Sequence, residues 1–188
     1  MEDEAVARPF RMTVHEFEAI FEAGLIEDQR VELRDGVLVT MPPQYLPHMR
    51  AKMRLLALLM ASVKRSGIEI EIGIEGSVRI EPYDEPEPDI SLFVAPERHG
   101  PILSERVRLA IEICNTSRRE DLGRKPGLYA RAGFPEYWVA DLDAKAMHVM
   151  WSPFEGCYAE RKLVPFGVTL AAMTLPGIEI DTTELLDI

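Results

Sequence analysis

Cysteine is scarce in this chain: two thiols, Cys114 and Cys157, in 188 residues. Two cysteines build neither a disulfide framework nor a zinc site, and they suit a reduced compartment, so a cytoplasmic location is expected. Long apolar runs are missing too. No stretch of about 18 apolar residues occurs, which argues against a membrane-spanning helix. The opening MEDEAVARPF is acidic and lacks the basic-then-apolar pattern of a signal peptide. Positive charge is in short supply: 21 Lys and Arg face 32 Asp and Glu, for a net charge of −11. That balance runs against a nucleic-acid protein, because phosphate neutralisation normally supplies much of the affinity. Two local clusters depart from it: Arg50, Lys52, Arg54, Lys64 and Arg65, then Arg118, Arg119, Arg124, Lys125 and Arg131. Internal repeats and low-complexity tracts are absent.

What remains is an ordinary globular composition, 47% hydrophobic and 28% charged, in a chain long enough to bury a core. The expectation is a flexible arm over residues 1–11 and a single domain over 12–188. Thr13 and Glu16 form a capping-box pattern that opens a helix through HEFEAIFEA, with Gly24 as its stop. VELRDGVLVTM places two short β-runs around Asp35-Gly36, a hairpin signal. His48 then opens a helix to about Ser66, with Met49, Met53, Leu56, Leu59, Met60 and Val63 near helical spacing. Alternation from Ile68 predicts a strand, and SVRIE a second. Strands follow at Asp89 and from Val107 to Ile113, then a helix near 119–132, and EYWVAD as another strand. AMHVMW and CYAERKLV predict a β-meander, and the tail a short strand and a last helical turn. The sum is a mixed α/β sheet with helices on at least one face.

Two acids stand out. Asp89 opens an apolar strand directly after prolines, and Glu112 lies near the end of VRLAIEI. A lone carboxylate in apolar surroundings loses its hydration, so each needs water, a cation or a metal. Arg124, Lys125 and Arg131 are candidate cations for Glu112. Mg²⁺ (or Mn²⁺) is the other option: two carboxylates at adjacent strand ends can share one ion, with the Ile113 carbonyl as a third ligand. The plainer alternative is that Asp89 caps a strand and Glu112 pairs with an arginine. Lys125 shares a helix face with Asp121 and Tyr129 at i, i+4 spacing. Pro126 is tolerated only in a first turn, which would put Lys125 at a helix N-terminus, a favourable place for phosphate. A solvated Asp121–Lys125 pair is the plainer reading here. Cys114 reads as a small buried hydrophobe rather than a nucleophile.

The strings EPDISLFV, RLAIEI and D-L-G-x-K-x-x-x-Y-A-R-A-G-x-P-E-Y-W-V-x-D resemble the Uma family (Uma-two type) of restriction endonucleases, within the PD-(D/E)XK nuclease superfamily. MTVHEFEAI, VELRDGVLVTMPP and LPGIEID extend the likeness over most of the chain. The resemblance implies a restriction-endonuclease-like fold and a metal-dependent endonuclease acting on DNA, commonly as a homodimer. It implies that Asp89 and Glu112 are the superfamily acids. The superfamily lysine position holds Cys114, so that role falls to Lys125. Glu32 in VELRDG and His48 match a family acid and a family histidine that would join the site. Asn115-Thr116-Ser117 replaces the family's usual S-P-S, and Pro126 also departs from the pattern. Two alternatives stay open: a catalytically silent nuclease-fold protein that binds DNA or protein, and hydrolysis of a small phosphodiester.

Overall fold

The computed structural model describes residues 8–26, 30–95, 100–115 and 117–188. Residues 1–7 of the expected arm, and Thr116 of the altered loop, lie outside the described residues. The chain divides into two compact units, Met1–Pro42 with Arg79–Pro86, and Pro43–Val78 with Glu87–Ile188.

In the smaller unit, Thr13 caps α1 (Val14–Glu22) by the predicted box. The Glu16 N–H donates to the Thr13 hydroxyl at 3.3 Å, and the Thr13 N–H donates to the Glu16 carboxylate at 2.8 Å. Val14 and Phe17 pack on Val31 and Leu33. Strands β1 (Val31–Arg34) and β2 (Val37–Thr40) form the hairpin, with Asp35 and Gly36 at φ 51° and 77°, as a primed two-residue turn requires. The returning segment is tied in by Arg79, whose guanidinium donates to Glu18 at 2.7 and 2.6 Å.

The larger unit opens with α2 (Leu46–Ser66), two residues earlier than expected because Pro47 sits in the first turn, where its missing N–H costs nothing. Then come β3 (Glu71–Ile74), β4 (Val78–Arg79, where the chain passes into the smaller unit), β5 (Ile90–Phe93), β6 (Ile102–Leu103) and β7 (Val107–Cys114). Helix α3 (Lys125–Arg131) precedes β8 (Glu136–Asp141), β9 (Ala146–Phe154), β10 (Cys157–Pro165), β11 (Thr169–Ala171) and β12 (Glu179–Asp181). Six strands make one mixed sheet in the order β10-β9-β8-β7-β5-β3. Only β7 and β8 run parallel, and a parallel pair needs a crossover, which the α3 segment supplies.

Strand alternation sorts the sheet into two faces. Leu109, Ile111, Ile113, Trp138 and Ala140 share one core with Ala51, Leu55 and Leu59 of α2. The opposite face carries Glu112 and Tyr137, under α3. There Tyr129 stacks on Phe134 at 4.8 Å and meets Tyr137 edge-on at 5.0 Å. Strands β7 and β8 are thus covered on both sides, which explains their near-continuous apolar reading. Of the face expected for α2, Leu59 is buried and Leu56 and Val63 pack partly buried against the core, but the methionines need correction. Its buried residues are Ala51, Lys52, Leu55, Leu59 and Ser62, whereas Met49, Met53 and Met60 are 51%, 63% and 57% exposed. With Arg50, Lys52, Arg54, Lys64 and Arg65 set among its apolar residues, the helix has a period but no inner face that the pattern alone singles out. Among the described residues no helix is long and apolar enough to cross a membrane.

Candidate active site

The site begins where two strands part. Ile90, the first residue of β5, pairs with Ile111, but β7 runs on to Cys114. The Ile113 N–H therefore outlasts its β5 partner, and the Asp89 carboxylate takes it, Oδ2 accepting at 2.9 Å. In a strand the N–H and C=O of one residue face the same neighbour, so the Ile113 carbonyl faces Asp89 as well. The Cys114 carbonyl turns the other way, accepting from the Leu142 N–H at 3.0 Å. On the far side, Ile74 of β3 pairs with Ile90, and the Glu75 N–H donates to the Asp89 carbonyl at 3.4 Å. One register step beyond these pairs, Glu75, Asp89 and Glu112 form a row of acids across three strands.

Each acid is matched by cations or donors. Asp89 is buried, and its Oδ2 also lies 3.0 Å from His48 Nε2. Its Oδ1 accepts from Lys52 Nζ and from the Gln44 amide, each at 3.3 Å. Burial pushes the Asp89 carboxyl up, but the hydrogen bond and charge of His48, the Ile113 N–H and Lys52 outweigh it, so the group lies below its ordinary value. Glu112 is the reverse case. Its Oε1 accepts from Lys125 Nζ at 2.7 Å and from the Tyr129 hydroxyl at 2.8 Å. Burial still dominates: against the pull of Lys125, and helped by the charges of Asp121 and Asp89, it pushes the carboxyl to about 8. The geometric link between the two acids is the backbone: Asp89 takes the N–H of Ile113, the residue after Glu112.

Lys125 is buried between two carboxylates, with Asp121 Oδ1 at 3.3 Å. Burial raises the Asp121 carboxyl, opposed by Lys125 and by the Ser117 hydroxyl that donates to it. The helix N-terminus expected at Lys125 is not there. Arg118 and Arg119 are already helical, a π-turn spans Glu120–Arg124, and α3 continues from it. Pro126 is the physical reason. It lacks an N–H, and the Lys125 N–H bonds five residues back to the Glu120 carbonyl. The Asp121 carbonyl is left without either helical donor, and the Tyr137 hydroxyl donates to it at 2.8 Å. The Lys125 ammonium is therefore presented from inside a helix, away from a helix N-terminus. Single π-turns of this kind are common at functional sites.

The predicted residues fall as follows. Asp89, Glu112, Lys125, His48 and the Ile113 backbone lie in this one unit, joined by the contacts above. His48 Nδ1 is buried with no hydrogen-bond partner among the described residues. Glu32 lies in the smaller unit, buried, with Arg34 nitrogens donating to it at 3.0 and 2.9 Å. Cys114 is buried, and its thiol is pushed up to about 12 by burial and then by Asp121 and Asp141, so it is no nucleophile. Trp138 is core, its indole N–H donating to Glu136 at 2.6 Å. Sequence reasoning missed Gln44, Lys52 and Glu75. Lys52 stands at i+4 from His48 and i−3 from Leu55, in a stripe that mixes polar and apolar residues, so nothing in the pattern turned it inward.

Among the described residues no three or more His, Cys, Asp and Glu side chains gather as an ion site. Two carboxylates and a backbone carbonyl form a hard-oxygen set of the kind Mg²⁺ accepts, with water and substrate completing its shell. The residues present fit that ion.

The family model of Uma2, described as "Putative restriction endonuclease", matches residues 14–183. None of the curated proteins matches the chain. Among solved structures, the fold is similar to that of a putative nuclease belonging to DUF820 from Anabaena variabilis ATCC 29413. The TM-score is 0.64 at 15% identity, over 84% of this chain and 89% of the other.

Proposed function

The chain belongs to the Uma2 family of putative restriction endonucleases and has a nuclease-like fold, and from that premise we propose that it hydrolyses phosphodiester bonds in DNA with Mg²⁺ or Mn²⁺. The observation that carries this reading is the Lys125 ammonium, buried on Glu112 at 2.7 Å although the superfamily's lysine position holds Cys114. Asp89, Glu112 and the Ile113 carbonyl would hold the ion. When bound, it would activate water and polarise the phosphate.

The chain's own groups do the rest. Lys125 supplies a fixed cation in a dry site, where a charge near a developing phosphoryl oxyanion counts for more than it would in water. Asp121, itself bonded by the Ser117 hydroxyl, holds that ammonium in place. Tyr129 fixes the Glu112 carboxyl, which would hold the ion as a carboxylate, its proton released to solvent. Asp89 is kept ionised by His48 and the Ile113 N–H. Glu32 and His48 are proposed as supporting groups, His48 through its contact with Asp89. A homodimer would bring two such sites to the two strands of a duplex, in the cytoplasm.

Incubation of supercoiled plasmid with the protein and Mg²⁺ or Mn²⁺ tests this. Nicked or linear product that disappears with EDTA supports the reading. Salt-dependent DNA binding without cleavage under either ion would assign the chain to the silent binding class. Hydrolysis of a small phosphodiester, with no DNA binding, would assign it to the third.

A further inference from the structure

Lys52 is a buried lysine on the inner face of α2, and the role proposed above for Lys125 leaves it without work. We infer that Lys52 is a counter-ion shared between Asp89 and Glu75 that is left to Glu75 alone when a divalent cation binds, so that Lys52 and Glu75 set how tightly this chain takes up its metal. The inference rests on the reading that Asp89 holds the ion.

The two oxygens of Asp89 are held unequally. Oδ2 has the Ile113 N–H at 2.9 Å and His48 at 3.0 Å. The first of these is strand backbone and cannot move away. Oδ1 has only longer contacts, to Lys52 and Gln44 at 3.3 Å. Both of those partners are closer to Glu75 Oε1: Lys52 Nζ at 2.5 Å and the Gln44 amide at 2.7 Å. Oδ1 is therefore the oxygen that can change partners at least cost. A carboxylate offers about four acceptor positions, and these four contacts fill those of Asp89 while Lys52 is in place.

A divalent cation at Oδ1 would repel an ammonium 3.3 Å from the same oxygen. Lys52 has somewhere to go. The Glu75 side chain is 34% exposed, against 8% for Asp89, so its carboxylate can swing toward water and draw the flexible lysine stem with it. The Glu75 backbone stays fixed by its bond to the Asp89 carbonyl. The exchange leaves no buried charge unpaired at either end, which is the condition for it to be cheap.

Calorimetric titration with Mn²⁺ alone tests the exchange, with no substrate and no turnover. Lys52→Met should tighten Mn²⁺ binding on the order of tenfold, by removing a competing charge from Oδ1. Glu75→Gln should weaken it, because Lys52 then has Asp89 as its one carboxylate. In the Lys52→Met background, Glu75→Gln should have little further effect, since the acceptor has no ammonium left to receive. That non-additivity separates exchange from a simple field of nearby charges. Lys52→Gln serves if the Met variant does not fold, and unfolding temperature checks each protein. Equal or weaker Mn²⁺ binding in folded Lys52→Met or Lys52→Gln overturns the inference, as does wild-type affinity in Glu75→Gln. A wild-type chain whose Mn²⁺ titration is unchanged by Asp89→Asn would instead bring down the metal-site reading itself.

Discussion

Glu112 shows how a single buried residue couples the site to pH. Its ordinary value is 4.5, and burial carries it to about 8 in the folded chain. Between those values the folded protein holds a proton that the unfolded chain releases. The resulting stabilisation is complete below about pH 4.5 and is lost as pH rises through about 8. From pH 6 to pH 8 the loss amounts to up to about 3 kcal/mol for one such group. Asp121, also raised, acts with the same sign. Without divalent ions, urea unfolding should therefore show stability falling with pH over that range. Glu112→Gln, neutral at every pH, should flatten the profile, and an unchanged slope would locate the proton elsewhere. The cysteines give a second check at this scale. Cys114 is buried and Cys157 exposed, so a thiol reagent should count one group in the native protein and two in denaturant. Two fast thiols in the native state would contradict the packing of β7. The acids were legible in the sequence because a carboxylate inside an apolar run is costly and needs a reason. Lys52 was not, because a lysine on a helix ordinarily marks the wet side.

The element scale explains that failure. Helix α2 mixes apolar residues with five Lys and Arg, and the stripes 48-52-55-59-62 and 49-53-56-60-63 lie one residue apart. Periodicity gives a helix here without choosing which stripe meets the sheet. Burial chose the first, bringing His48 and Lys52 to Asp89. The crossover helix failed in a different way. By the ordinary rule Pro126 marks a helix start, but the chain absorbs it with a π-turn whose orphaned Asp121 carbonyl is taken by Tyr137. That tyrosine, 16 residues away on β8, cannot be foreseen from local pattern. Tyr137→Phe keeps the ring packing and strands a buried carbonyl, which should cost about 1–3 kcal/mol in urea unfolding. Wild-type stability would show that the π-turn has another support. The β7, β8, β9 and β10 strands, by contrast, were readable nearly to their ends, because both covered strands and a meander carry strong apolar and turn signals.

At the scale of the whole molecule, charge and exposed surface point outward. Of the ten basic residues in the two local clusters, Lys52 and Lys125 are turned inward to acids, so they neutralise the site rather than greet DNA. The exposed methionines of α2 lie among cations, with no acid on that helix. That uncovered stripe is the surface on which a homodimer is expected. Light scattering at micromolar concentration should give about twice the 21.3 kDa chain mass, and Met53→Glu should return it to one; a 21.3 kDa particle for the wild type contradicts the dimer. The central claim, that a buried lysine on the strand acid Glu112 and on Asp121 makes this fold a DNA-cleaving enzyme, is tested most directly by single-turnover cleavage in saturating Mn²⁺. Wild type and Lys125→Met would be compared side by side, with unfolding temperature confirming the fold. Methionine keeps the stem and removes the charge. The rate should fall by a factor on the order of a hundred or more, while salt-dependent DNA binding persists. A folded Lys125→Met protein that cuts DNA as fast as wild type would contradict the account.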